Sequence, residues 1–169
     1  MTSQAAALRL AVLAVALATG SASAAAALPQ PRVFVPGHSL GGIRLGERAS
    51  AARATLGRSY GICTNCETTT WYFTYKPFDQ HGLAVELTGG RVSAVYTLWE
   101  PGGWRTASGL RLGVVEGQLT DATGPLVSVT CSSYVARVAD GTQARSVYYV
   151  VQGKLWGFGL LHAHADPCR

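Results

Sequence analysis

The chain has 169 residues, a formal net charge of +5, four cysteines and 48% hydrophobic residues. That length suits one compact domain or two small units sharing a core. From Arg32 to Arg169 the basic residues are scattered singly, never in a run. Nucleic-acid binding normally needs a clustered basic face, none is visible in the sequence, and no nucleic-acid partner is expected.

At the N-terminus Arg9 precedes the apolar run Leu10 to Ala18, and small residues follow as far as Ala22-Ser23-Ala24. This reads as a secretory signal peptide over 1–24, cut after Ala24. The run is about half the length that spans a bilayer. No other stretch is long enough, and no cysteine sits near the cut to take a lipid. The mature chain is expected to be secreted and free of the membrane. Residues 25–37 hold three prolines and read as an extended lead-in.

Two sixteen-residue stretches then share a frame. Gly42 to Gly57 reads GIRLGERASAARATLG and Gly109 to Gly124 reads GLRLGVVEGQLTDATG, with Gly, Arg, Leu and Gly in register at the front and Gly at the end. An internal period of this kind points to two copies of one unit. In the first copy, residues 38–99, a helix is expected over about Glu47 to Leu56, rich in good helix formers and ended by Gly57. A polar loop, Arg58 to Thr70, carries Cys63-Thr-Asn-Cys66. Strands follow at Trp71 to Tyr75, Leu83 to Leu87 and Val92 to Trp99, with a Gly89-Gly90 hairpin turn between the last two.

Residues 100–108 form a linker. The second copy, 109–169, repeats the order: a weaker helix over Val115 to Thr123, then strands near Tyr134 to Val138, Ala144 to Val151 and Leu155 to Leu161. Gly89-Gly90-Arg91-Val92 corresponds to Gln152-Gly153-Lys154-Leu155. The expected fold class is α+β: two tandem copies of a helix followed by a three-stranded antiparallel sheet, with the helices packed on one sheet face. The other face is then open, and Trp71, Phe73, Tyr75, Tyr148, Trp156 and Phe158 are the candidate binding surface on it. The competing assignment puts the same aromatics in the core.

Four cysteines in a secreted chain allow three disulfide connectivities. Cys63 and Cys66 are neighbours in one loop, so the pairing expected is Cys63–Cys66 and Cys131–Cys168, the second tying down the C-terminal tail. Three motifs carry possible chemistry. Gly37 to Gly42, GHSLGG, has the letters of a nucleophile elbow, with His162 or His164 downstream. Too few residues precede Ser39 to build the strand–helix–strand unit that supports such an elbow. The CTNC is followed by a strand rather than a helix, which suits a staple rather than a redox pair. In the tail, His162, His164 and Asp166 alternate, and in extended chain all three would share a face with metal-ligand spacing. No phosphate-binding loop or other cofactor motif stands out, and no cofactor is expected.

The shared Gly-[Ile/Leu]-Arg-Leu-Gly, helix, loop and strands with a Gly-[Arg/Lys]-[Val/Leu] turn, in two copies behind a signal peptide, resemble the secreted beta-lactamase inhibitory proteins. They also resemble the helix–sheet unit of SmpA/OmlA-type outer-membrane lipoproteins, whose lipidated cysteine is missing here. The inhibitor resemblance implies stacked helix-plus-sheet units, a concave aromatic-lined sheet face and a protein partner. The function expected is that of a secreted non-enzymatic binding protein, with inhibition of an extracellular hydrolase as its specific form. Beside it stand a small serine hydrolase using Ser39 and an extracellular metal-binding protein using the HAHAD tail.

Overall fold

The computed structural model describes residues 32–63, 65–76, 79–98 and 102–169, with the side chains at 74–76, 79–81 and 98 left aside. The signal peptide expected over 1–24 lies outside the described residues. In chain order the strands are β1 (Val33–Val35), β2 (Ser39–Leu40), β3 (Tyr60–Cys63), β4 (Thr69–Lys76), β5 (Asp79–Thr88), β6 (Arg91–Leu98), β7 (Arg105–Thr106), β8 (Val127–Thr130), β9 (Val135–Asp140), β10 (Ala144–Val151) and β11 (Lys154–His162). Helix α1 (Ala49–Leu56) precedes β3, and α2 (Glu116–Thr123) precedes β8.

This corrects the expected fold. Each helix is followed by four strands of one large sheet rather than three, and the strands do not form two three-stranded sheets. They make one eight-stranded sheet of order β3-β4-β5-β6-β11-β10-β9-β8, beside a three-stranded sheet of order β2-β1-β7. Every pairing in the large sheet is antiparallel. Its centre is the β6–β11 pair, where Gly159, Leu160 and Leu161 face Tyr96, Val95 and Ala94. The small sheet joins the lead-in to the linker: Val33 and Phe34 of β1 lie parallel to Arg105 and Thr106 of β7.

Both helices are too short to stand on propensity alone, and each is hung from a hairpin of the sheet. The Gly46 N–H donates to the Val92 carbonyl (2.8 Å), and the Ala49 N–H donates to the Gly90 carbonyl (2.9 Å). In the second half Gly113 donates to Leu155 (2.7 Å), and Glu116 donates to Gly153 (2.9 Å). Gly90 and Gly153 take φ of 74° and 73° at these turns, the left-handed region where glycine is unstrained.

The two faces of the large sheet are built differently, as the period of two requires. On the helix side, Leu83, Val85 and Leu87 of β5 pack with Ala52 and Leu56 of α1, Leu119 of α2 and Phe34 of β1. The other face carries smaller residues, Ala84, Ala94, Ala136 and Val138, with Tyr96 and Tyr149 among them. Small side chains let the C-terminal tail lie close against this face. There the Arg145 Nη1 donates to the Ala165 carbonyl at 2.7 Å. The Cys131–Cys168 disulfide then ties the tail to the loop after β8. Cys63–Cys66 closes the other pair, so both expected disulfides form. Among the described residues no helix is long and apolar enough to cross a membrane.

Candidate functional site

The six aromatics of the expected binding surface separate. Trp71, Phe73, Tyr148 and Phe158 are buried on the helix side, with Phe73 only 1% exposed. Phe34 packs on Phe158 with ring centroids 5.1 Å apart, and Tyr60 stacks on Trp71 at 4.5 Å. These four are core residues, because the helices and the small sheet cover the face they occupy. The side chain of Tyr75 falls outside the described residues. Trp156 is half-buried and lies apart from the four buried ones.

A bulge accounts for Trp156. Gly157 pairs with Tyr149 and Leu155 with Val150, so Trp156 is the inserted residue of a β-bulge. An inserted residue shifts the alternation by one and re-aims the side chain. Leu155 and Phe158 both reach the helix-side core as a result, while Trp156 is turned into a groove on the tail side.

That groove has a volume of about 410 Å³. Tyr72 of β4, Tyr96 and Thr97 of β6, Tyr149 and Val151 of β10 and Trp156 of β11 line it from the sheet. Ser132, Ser133 and Tyr134 line it from the β8–β9 loop, and Arg169 from the tail. Tyr134 meets Tyr149 edge-on, with centroids 5.5 Å apart and planes at 87°. The Tyr134 hydroxyl both donates to the Arg169 carbonyl and accepts from the Arg169 N–H, which fixes the tail over the loop. The Arg169 guanidinium sits 5.9 Å from the centre of the Tyr96 ring and pairs with Glu86 at 3.2 Å. Its charge is thus matched inside the wall rather than left for a ligand.

Tyr149 forms the floor. Its ring lies across β11 against Gly157 and Gly159, and a Cβ built on Gly159 would come within 2.8 Å of the Tyr149 hydroxyl. Two glycines on that strand are what admit a flat ring there. The hydroxyl is buried and has no hydrogen-bond partner among the described residues. Burial raises the Tyr149 phenol well above its ordinary range, and the nearby Arg169 charge only partly offsets this. Burial also raises Tyr96, helped by the Glu86 carboxylate. Both phenols are therefore neutral hydrogen-bond donors under ordinary conditions.

The other sequence candidates lie elsewhere. Ser39 is only 8% exposed and sits in β2, paired antiparallel with Val35. A nucleophile elbow needs its serine raised between a strand and the helix that follows. Here Gly41 and Gly42 turn the chain away, and α1 begins only at Ala49. The glycines of GHSLGG serve packing: at Gly41 a Cβ would stand 2.9 Å from the Trp104 ring. Cys63 and Cys66 of the CTNC are joined to each other and staple the end of β3. His162 ends β11, and the Ala165 N–H closes a turn onto the His162 carbonyl at 3.0 Å. The turn breaks the alternation that would bring His162, His164 and Asp166 to one face, and Asp166 instead accepts from the Cys168 N–H at 2.9 Å. Among the described residues no three His, Cys, Asp or Glu side chains gather to hold a metal. A second cleft, of about 460 Å³, is lined by His38, Arg44, Gln143 and His162 among others.

Sequence reading missed Tyr72, Tyr96, Tyr134, Tyr149 and Arg169. The signal was there for two of them: Tyr72 and Tyr149 alternate with Trp71 and Tyr148, so a core assignment for one set assigns the other to the opposite face.

No family model matches the chain, and no curated protein sequence matches it. Among solved structures it is similar to a DUF4309 family protein, YjgB, from Bacillus subtilis subsp. subtilis strain 168. The TM-score is 0.54 at 14% sequence identity, over 73% of this chain and 84% of that one. At that identity the likeness is one of fold.

Proposed function

We propose that the chain is a secreted binding protein without a catalytic centre, and that it engages its ligand through the tyrosine–tryptophan groove on the tail side of the sheet. The observation that carries this reading is the build of the groove. A bulge turns Trp156 into it, and a disulfide-tied tail and loop wall it, leaving amphipathic rings with neutral hydroxyls between them. Sites of this kind, concave and aromatic with a few placed polar groups, are where proteins hold small ligands or anchoring side chains. Two disulfides and the absence, among the described residues, of a helix able to cross a membrane are consistent with an extracellular setting. Inhibition of an extracellular hydrolase remains the protein-partner form of the proposal, with a partner side chain seated in the groove.

Hydrogen exchange on the mature protein, with and without fractions of spent culture medium, tests it. Protection is expected in the 131–134 loop and in 149–156, retained in Ser39→Ala and lost in Trp156→Ala. Protection confined to other surfaces, or loss of the effect in Ser39→Ala alone, overturns the reading.

A further inference from the structure

The chemistry of the groove narrows the ligand. We infer that, given the binding role proposed above, the groove takes a neutral oligosaccharide, its sugar rings lying on Trp156 and the tyrosines and its hydroxyls bonding to the serine hydroxyls of the wall.

Charge excludes one class of ligand first. Among the described residues the only cationic side chain on the wall, Arg169, is paired with Glu86 at 3.2 Å, and no Asp or Glu side chain lines the groove. Neither an anionic nor a cationic ligand finds an unmatched partner, and displacing the pair would leave Glu86 half-buried and alone. A purely hydrocarbon ligand fares no better, because it would cover the exposed Ser132 and Ser133 hydroxyls and strip them of water without replacing it.

An extended peptide that pairs with the sheet is excluded by position. Pairing of that kind uses a free strand edge, and the edges of this sheet are β3 and β8. The groove lies on the face between them, lined from β4, β6, β10 and β11. What remains is a flat, uncharged molecule with an apolar face and a hydroxylated rim, which describes a pyranose ring. Tyrosine and tryptophan offer apolar ring faces together with a polar tip. The Tyr149 hydroxyl is buried beneath them, so the floor offers a ligand a ring face rather than a polar group. A volume of about 410 Å³ falls within the roughly 300–1,000 Å³ of small-ligand clefts.

The test is calorimetric titration of the mature protein with soluble oligosaccharides of the cello, malto and chito series, and with a proline hexapeptide as the rival that aromatic grooves also accept. Saturable binding of a neutral oligosaccharide, indifferent to added salt, is expected. Trp156→Ala should weaken it about tenfold or more, and Trp156→Phe should restore most of the loss. Ser39→Ala should bind as wild type. The inference fails if no neutral oligosaccharide saturates, or if binding survives Trp156→Ala in a protein whose circular dichroism is unchanged. Saturation by the proline peptide alone removes the sugar and leaves the groove reading standing. If medium fractions also leave the groove unprotected, that reading falls as well.

Discussion

Tyr149 shows how much one residue can set at this site. It is 4% exposed, lies flat over Gly157 and Gly159, and holds its phenol neutral by burial. A methyl group at Gly159 would meet the Tyr149 hydroxyl at 2.8 Å and its ring carbons at 3.2 Å. A buried ring has nowhere to swing, so Gly159→Ala should cost about 1–3 kcal/mol of stability. The Tyr149→Ala background should remove most of that penalty, and a double-mutant cycle in denaturant would measure the coupling. Additive costs would mean that the ring is not where the clash falls. The buried phenols also set the alkaline limit of the fold. Burial pushes Tyr148 up to about 12 and raises Tyr96 and Tyr149 further, while in the unfolded chain each ionises near 10. Folded molecules therefore keep these protons while unfolded ones lose them, so stability falls as pH rises above about 10. From these groups it should be level below that pH. Denaturation midpoints taken from neutral to strongly alkaline pH, with phenolate absorbance followed alongside, check this; a decline that sets in near neutrality would contradict it. Trp156 and Phe158 mark the limit of sequence reading at this scale. Strict alternation places them on one face, and only the bulge at Tyr149/Val150, which no residue type announces, parts them.

At the scale of the element, the helices and long strands could be read from the chain, and the short strands could not. α1 and α2 begin within two residues of the expected starts, and both stop at the expected ends, because Gly57 and Gly124 end them with positive φ. β10 spans the expected Ala144 to Val151, since its apolar run is bounded by turns on both sides. β3 and β8 went unseen. Tyr60–Cys63 and Val127–Thr130 are four residues each, glycine- or serine-containing, and become strands only because β4 and β9 offer them an edge. The segments read as an extended lead-in and a linker hold strands for the same reason: β1 and β7 are strands by virtue of each other. Both helices also start poorly. Arg48 and Val115 occupy the N-cap positions with extended backbone and no side-chain cap bond, and Val115 is 51% exposed. An aspartate there has the right backbone to accept from the first-turn N–H groups and places its charge at the positive end of the helix. Val115→Asp should raise stability by about 1 kcal/mol, read as a higher urea midpoint at unchanged slope. A lower midpoint would show that the Val115 side chain packs better than its exposure indicates.

Across the whole molecule, the helix-side core joins both halves of the chain, whereas the tail-side face depends on a cross-link. The helix-side core draws on α1, α2, the small sheet and strands on both sides of the β6–β11 seam. The tail-side cluster is smaller, and Cys131 and Cys168 belong to it. The two disulfides should therefore differ in what they hold. Cys63–Cys66 closes a sequence separation of 3, and Cys131–Cys168 one of 37. Loop-closure entropy alone gives about 2 kcal/mol for the first and about 4 kcal/mol for the second. The longer one also anchors the groove wall, because Arg169 follows Cys168 directly and is held by Tyr134, three residues after Cys131. The paired change Cys131→Ser and Cys168→Ser should lower the melting temperature more than the paired change at Cys63 and Cys66. It should also speed hydrogen exchange in 131–134 and 163–169 while leaving α1 and α2 protected. A uniform loss of protection across both faces would mean that the sheet is one cooperative unit and that the groove has no separate stability. Selective loss would place the groove wall among the least stable parts of the fold.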